Sequence, residues 1–175
     1  MDVSLTAKLK NFSEFYSLYR DGDERKLYQG KSLLFHAISN NDPDSRYEIS
    51  IFLLKKGSDA RETNASNETL LHILLSRAHH NLAQTVILCR ELMARGADVN
   101  HLDNKGRSTF QYILNTKYTD DELEPLYDLW FAQESLRLDT PNAWGKTLLQ
   151  LAQMLPFRQQ LVERMQDYQR KHRFS

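Results

Sequence analysis

The sequence predicts an all-α fold, a solenoid of about four stacked helix pairs joined by short projecting turns or hairpins. Three observations lead to it: turn residues at a fixed spacing, a second marker in the same register, and apolar residues at helical spacing. The turn residues recur at intervals of 37, 39 and 39 residues, and periods of about 20–50 residues are typical of stacked repeats. They are Gly30, Asn67, Gly106 and Gly145.

The second marker is a glycine that suits the end of a helix. Gly57 opens the segment GSDAR and Gly96 opens GADVN, and each lies 10 residues before the next turn residue. Glycine adopts the left-handed backbone that commonly ends a helix without a Cβ clash. Two landmarks in one register indicate a repeat with a projecting connector between successive helix pairs.

Each turn residue is followed by a hydroxyl residue and then by an apolar run. A Ser or Thr at that place can accept a hydrogen bond from a free N–H of the first helical turn. The sequence therefore predicts four N-caps, at Ser32, Thr69, Ser108 and Thr147.

The second helix of each pair carries one apolar stripe. In the second unit the stripe contains Leu88, Cys89, Leu92 and Met93 at helical spacing. A two-helix unit cannot bury such a stripe alone, so neighbouring units must stack to complete a continuous core.

The segments that follow the turn residues resemble the ankyrin repeat. They read GKSLLFHA at 30–37, NETLLHIL at 67–74, GRSTFQYI at 106–113 and GKTLLQLA at 145–152, although none has the proline usual in that family. The resemblance covers about residues 28–168. It implies stacked helix pairs with projecting turns, and it gives His72 the role of a histidine that hydrogen-bonds neighbouring turns.

We interpret residues 1–175 as a single domain with a capping helix in 1–22 and repeats at 28–64, 65–103, 104–142 and 143–172. The first three units, of 37–39 residues, exceed the roughly 33 residues of a standard ankyrin unit, and we expect the additional residues at the polar joints within the helix pairs, 40–44, 79–81 and 117–120. Apolar residues from Leu9 to Tyr19 predict one N-terminal helix. At the other end we expect an apolar stripe, formed by Phe157, Leu161, Met165 and Tyr168. A polar outer face accompanies it and includes Arg158 and Arg164.

Composition narrows the function classes. The chain has 23 basic and 23 acidic residues and a formal net charge of zero, which gives no electrostatic attraction to nucleic acid or to a membrane. We expect a monomer in the cytoplasm, because the first residues lack the apolar core of a signal peptide. The single cysteine, Cys89, excludes an internal disulfide framework.

No arrangement of residues predicts catalysis. Cys89 lies on an apolar stripe, where a free cysteine behaves as a small hydrophobic residue, and His79 and His80 have no further ligand at metal-binding spacing. The acidic run from Asp120 to Glu124 fits a solvated helix start. We therefore predict no enzyme, no metal and no cofactor.

The sequence instead predicts a module that binds a protein partner, because stacked repeats present an extended concave surface. The ankyrin resemblance implies that this surface combines the turn tips with the exposed side of the first helices. The residues so placed are Tyr28, Gln29, Lys31, Ser66, Glu68, Arg77, Asn104, Lys105, Arg107, Asn115, Trp144 and Lys146. Trp144 stands out, because tryptophan dominates interface hot spots.

Three hypotheses follow for the role of such a module. It is a stand-alone binding protein that inhibits one partner, for which immunity proteins against co-expressed bacterial toxins are an analogy, or it is an adaptor or scaffold. A nucleic-acid binder or an enzyme is disfavoured by the balanced charge and the missing motifs.

Overall fold

The computed structural model describes residues 1–173 and is mostly helical, which agrees with the all-α class. Nine α-helices are present in these residues: α1 (Val3–Leu9), α2 (Phe12–Leu18), α3 (Leu33–Ile38), α4 (Pro43–Lys55), α5 (Leu70–Leu75), α6 (Leu82–Ala94), α7 (Asp120–Phe131), α8 (Leu148–Gln153) and α9 (Gln159–Lys171). Strands β1 (Leu27–Tyr28) and β2 (Lys31–Ser32) form an antiparallel hairpin. Three short 3₁₀ segments lie at Asp23–Arg25, Thr109–Ile113 and Pro156–Arg158.

The helices pack in two layers. Short helix α3 contacts α4 and α5, and α5 contacts the 3₁₀ segment Thr109–Ile113. The long helices form the second layer, in which α4 contacts α6, α6 contacts α7, and α7 contacts α9. A continuous core lies between the layers and includes Leu53, Leu92 and Trp130, all fully buried. No helix in residues 1–173 is long and apolar enough to cross a membrane.

The N-terminal region corrects one prediction, because it folds as two helices and not one. Asn11 interrupts the apolar stripe, and its side chain accepts a hydrogen bond from the Glu14 amide at 2.9 Å. That bond caps the start of α2. Phe12 and Phe15 of α2 then pack edge-on against Phe52 of α4, so the second helix still covers the end of the long-helix layer.

Three of the four predicted N-caps are present. Ser32, Thr69 and Thr147 each accept a hydrogen bond from the amide three residues later. Ser108 makes no such bond, and the segment after it is a 3₁₀ helix. The expectation of a regular α-helix at this place was therefore wrong. The ring of Phe110 in this segment packs against Trp130 of α7, with 5.3 Å between centroids.

Buried polar groups join the segments that connect the two helices of each pair, which we call the joints. Arg46 is fully buried, and its Nε donates to the carbonyl oxygen of Asn40 at 2.8 Å in its own joint. Its two terminal nitrogens both donate to the carbonyl oxygen of His79 in the next joint, at 3.1 Å. The Tyr118 hydroxyl of the third joint accepts from the His80 amide at 2.7 Å.

Arg158 makes the last of these links, and it contradicts the prediction that it lies on a polar outer face. It is fully buried, and it donates to the carbonyl oxygens of Leu114 (2.9 Å), Thr116 (3.0 Å) and Tyr118 (2.9 Å). Burial of a guanidinium is tolerated when its donors are satisfied in this way.

Three further residues differ from expectation. Phe157, which we expected on the apolar stripe of the last helix, is 55% exposed. Arg164, expected in solvent, is half-buried and pairs with Asp128 at 2.7 Å. Asp120 is buried where a solvated carboxylate was expected, because the Tyr127 hydroxyl donates to it at 2.7 Å. Leu161, Met165 and Tyr168 are buried as predicted.

Candidate interaction surface

Three of the projecting turns have the same internal geometry. In each, one Asn or Asp side-chain oxygen accepts hydrogen bonds from the amides two and four residues later, at 2.8–3.1 Å. These residues are Asn64, Asp103 and Asn142. Such side-chain bonds fix a tight turn locally. The turn residue that follows has a positive φ in each case: 57° at Asn67, 68° at Gly106 and 73° at Gly145.

Neighbouring turns are joined by backbone hydrogen bonds. The Asn104 amide donates to the Ser66 carbonyl oxygen at 3.0 Å, and the Ala143 amide donates to the Lys105 carbonyl oxygen at 2.8 Å. The β1–β2 hairpin is attached differently, because a Glu62 carboxylate oxygen accepts from the Ser32 amide at 2.9 Å. The hairpin and the three turns therefore form one row along an edge of the molecule.

A buried histidine attaches the second helix pair to the turn of the third. His72 Nε2 lies 2.9 Å from the carbonyl oxygen of Arg107, so the predicted bond from His72 to a neighbouring turn is present. Its Nδ1 accepts from the Thr69 amide at 3.1 Å and completes the cap of α5. Burial lowers the pKa of His72, so the neutral ring, donating from Nε2, fits both bonds.

A polar cluster lies beside this histidine. The Tyr112 hydroxyl is 2.7 Å from a Glu68 carboxylate oxygen and 2.8 Å from one of Asp103, and it accepts from Arg107 at 2.7 Å. Arg107 Nε also donates to Asp103 at 2.7 Å. Burial and the two carboxylates raise the pKa of Tyr112. The cluster holds the Tyr112 ring in place as the wall of a groove.

A groove lies beside the turn that contains Asp103, between residues 107–115 and residues 151–155. It has a volume of about 270 Å³. It is lined by Arg107, Gln111, Tyr112, Leu114, Asn115, Leu151, Met154 and Leu155. Met154 is 67% exposed, and together with the leucines it gives one side of the groove an apolar surface. We call the row of turns together with this groove the turn-and-groove surface.

The predicted site residues divide by exposure. Those open to solvent are Gln29, Ser66, Asn104, Lys105, Asn115, Trp144 and Lys146. Those half-buried are Tyr28, Lys31, Glu68, Arg77 and Arg107. Arg107 differs from the other predicted contact residues, because its guanidinium is engaged within its own unit. Its bonds to Asp103 and Tyr112 make it part of the turn's internal support.

The cysteine and histidines that we considered for catalysis or metal binding are buried or already hydrogen-bonded within the chain. Cys89 is fully buried, and burial raises the pKa of its thiol. His80 is held by the Thr85 hydroxyl at 2.9 Å and by the Arg77 carbonyl oxygen at 3.0 Å. Within residues 1–173, no three His, Cys, Asp or Glu side chains are grouped so that they could hold a metal ion.

The sequence reasoning missed two features of this surface. One is the trio Asn64, Asp103 and Asn142, although its spacing of 39 residues matches that of the turn residues and would have identified it. The other is the groove, whose residues Tyr112 and Met154 come from different units. Its formation depends on how those units pack, and no local pattern indicates it.

The chain resembles a solved structure whose function is not known. No family model matches the chain, and no curated protein matches it. A solved structure that it resembles is the crystal structure of a functionally unknown protein from Leptotrichia buccalis C-1013-b. The two are 28% identical, the match covers 99% of this chain and 96% of that one, and the TM-score is 0.85.

Proposed function

We propose that the chain is a non-catalytic protein-interaction module, built as an ankyrin-type solenoid, that binds a protein partner through its turn-and-groove surface. The solenoid is supported by the two helix layers, by the matching turns at Asn64, Asp103 and Asn142, and by the row of bonds between neighbouring turns. In such a stack each unit contacts only its neighbours, and the turns with the first helices form an extended binding face.

The observation that carries the proposal is Trp144. It lies at the tip of the last turn, where Asn142 fixes its backbone through a 3.0 Å bond to its amide, and its side chain is 63% exposed. The turn does not need an indole at this position, because Asn142 and Gly145 already determine its geometry. An exposed tryptophan on a rigid backbone is the type of residue that contributes most to protein interfaces.

The test starts from capture of a partner from the cells that produce the protein, followed by binding measurements with the purified pair. Trp144→Ala should weaken binding by about 2 kcal/mol, which is roughly thirtyfold in affinity. Its unfolding midpoint should match that of the parent, since the side chain packs little.

Two variants serve as controls. Tyr16→Ala removes another exposed aromatic side chain, 55% exposed on α2, and Gln166→Ala changes an exposed residue of α9. Both should leave binding unchanged. If the control variants lose the partner while Trp144→Ala binds normally, another face makes the interface and the proposal fails. An inhibitor and an adaptor use the same surface, and the activity of the captured partner distinguishes them.

A further inference from the structure

We propose that the turn-and-groove surface selects an acidic protein segment that inserts one bulky apolar side chain into the groove. This deepens the proposed function and rests on it. The proposal combines two observations: cations without carboxylate partners on and beside the surface, and a groove with one apolar wall.

The cations lie in the hairpin and turns of the surface and in the joints beyond it. Five of them have no carboxylate oxygen within ion-pair distance in the described part of the chain, residues 1–173. Lys31 lies in the β1–β2 hairpin, Lys105 and Lys146 lie in the turns, and Arg77 and Lys117 lie in the joints beyond the turn-and-groove surface. Lys117 contacts His79 at 3.0 Å and not an acid.

Three carboxylates on this side are already engaged. Glu62 accepts from the Ser32 amide, Glu68 accepts from Asn64 and Tyr112 at 2.8 and 2.7 Å, and Asp103 accepts from Arg107 Nε at 2.7 Å. None of the three is free to neutralise the lysines. A partner with carboxylates opposite these cations would gain from complementary charge in both association rate and specificity.

Acids are concentrated in the other layer. Helix α7 carries Asp120, Asp121, Glu122, Glu124 and Asp128 and has no basic residue of its own. Three of them pair with arginines of the C-terminal segment, Asp120 with Arg158, and Glu124 and Asp128 with Arg164. The net charge of zero is a sum over the whole chain. The sequence-level conclusion that charge gives no direction to binding holds for the sum and not for this surface.

The groove supplies the apolar part of the recognition. Leu151, Met154 and Leu155 form one wall, and Gln111 and Asn115 provide polar groups at its rim. Anchor side chains in protein interfaces fill pockets of this kind. Methionine is flexible and polarizable, so Met154 can adapt to a leucine, methionine or phenylalanine side chain.

The same features favour a protein over a nucleic acid. A duplex presents one phosphate charge per roughly 1.7 Å and needs many cations close together. Here the cations are single and separated over four units, and one wall of the groove is aliphatic. Proteins bind single-stranded nucleic acid by stacking its bases on aromatic side chains. This groove has a single aromatic residue, Tyr112, and its other apolar side chains are aliphatic.

The probe for this inference is a displayed library of short random peptides, selected on the purified full-length protein. Enriched peptides should combine several Asp or Glu residues with one Leu, Met or Phe. A synthetic representative should bind about tenfold or more weakly to Lys105→Glu and to Met154→Ser. The exposed positions of Lys105 and Met154 predict that both variants keep the parent's unfolding midpoint.

Matched controls come from the outer side of α6. Arg90→Glu reverses an exposed cation, and Ile87→Ser changes a partly exposed apolar residue; neither should alter peptide binding. Failure to enrich peptides, enrichment of peptides without acids, or equal binding to Lys105→Glu would overturn the proposal. So would tight binding of a labelled oligonucleotide that Lys105→Glu abolishes. The Trp144 test with a captured partner is independent of this selection, so the two proposals can fail separately.

Discussion

The imidazole of His72 lies 2.9 Å from the carbonyl oxygen of Arg107, so a single ring links the start of α5 to the turn of the following unit. His72 is fully buried, and the Tyr112 ring packs edge-on against it at 5.1 Å between centroids. The internal cap of one helix and the position of the next turn thus depend on the same side chain.

Replacing His72 with Ala should lower the free energy of unfolding by about 3 kcal/mol, because it removes one of the two donors to the Arg107 carbonyl oxygen, leaves the buried Thr69 amide without its acceptor and opens a cavity. Chemical denaturation at neutral pH measures this. His101→Ala is the matched change: this half-buried ring makes a 3.1 Å bond to the Asn67 carbonyl oxygen, and its loss should cost about 1 kcal/mol. Equal losses would contradict the linking role of His72.

Alanine variants at Gly106 and Gly145 can distinguish the cost of backbone strain from the cost of a steric clash. Both have positive φ, 68° and 73°. A Cβ on Gly106 would lie 3.1 Å from the Cα of Asn142 in the next turn, whereas one on Gly145 would meet nothing within 4 Å. Gly145→Ala should cost about 1 kcal/mol for the left-handed conformation, and Gly106→Ala at least about 2 kcal/mol. Similar denaturant midpoints for the two variants would show that the turns can move apart.

Arg158 should be among the most sensitive charged residues of the chain. Arg158→Ala leaves several buried carbonyls without a donor and removes the cation that pairs with the buried Asp120 carboxylate, so the expected loss is about 3–5 kcal/mol. Arg158→Lys should lose much of the same stability, since one ammonium cannot reproduce the planar fork. The control is Arg170→Ala on the exposed part of α9, with a change within about 0.5 kcal/mol.

Mild acid should destabilise the protein through His80. Burial and the nearby Arg46 lower the pKa of His80 from 6.5 to about 4. Below about pH 6.5 the unfolded chain binds a proton that folded His80 does not. The contribution of neutral His80 to the free energy of unfolding is therefore complete at neutral pH. It is lost as the pH falls from 6.5 to 4, by about 3 kcal/mol at most.

The measurement for His80 is the difference between the stability curves of the parent and His80→Asn across that pH range. The other titrating groups are the same in both proteins, so their contributions largely cancel in the difference between the two curves. The parent should lose more stability than the variant on acidification. A variant that follows the parent's curve at every pH would show that folded His80 takes up its proton at an ordinary pKa.

The helical register of α6 can be tested at Leu92, which is fully buried. Leu92→Ala should cost about 2–5 kcal/mol, the range for truncating a buried leucine. Ile87→Ala on the same helix is the comparison, because Ile87 is 38% exposed and its loss should stay within about 1 kcal/mol. Equal denaturation midpoints for these two variants would mean that α6 presents a different side to the core.

The sequence was most informative where one residue determines local geometry. Gly57 and Gly96 have the positive φ that we expected of glycines at helix ends, and the turn residues Gly30, Asn67, Gly106 and Gly145 have a positive φ as well. Thr69 and Thr147 cap their helices. In these places the responsible contacts lie within a few residues, so a local pattern contains the information.

Prediction failed where distant segments decide the outcome. Arg158 is buried because the carbonyls of the third joint converge around it, and its polar character alone indicated a solvent-facing residue. The break at Asn11 was missed for another reason: the apolar spacing continues from Leu9 to Phe12 across it, and spacing alone does not reveal a change of helix. The groove at Met154 likewise depends on packing between units.

Neighbouring units are bonded along both the turn edge and the joint edge. The turn edge has the Asn104–Ser66 and Ala143–Lys105 bonds, and the joint edge has Arg46 and Arg158. Bending the molecule toward either edge would stretch the hydrogen bonds on the opposite edge. The two sets of bonds therefore resist bending in both directions. A partner would then meet a surface that needs little reorganisation, and little of the binding free energy would be lost in ordering it.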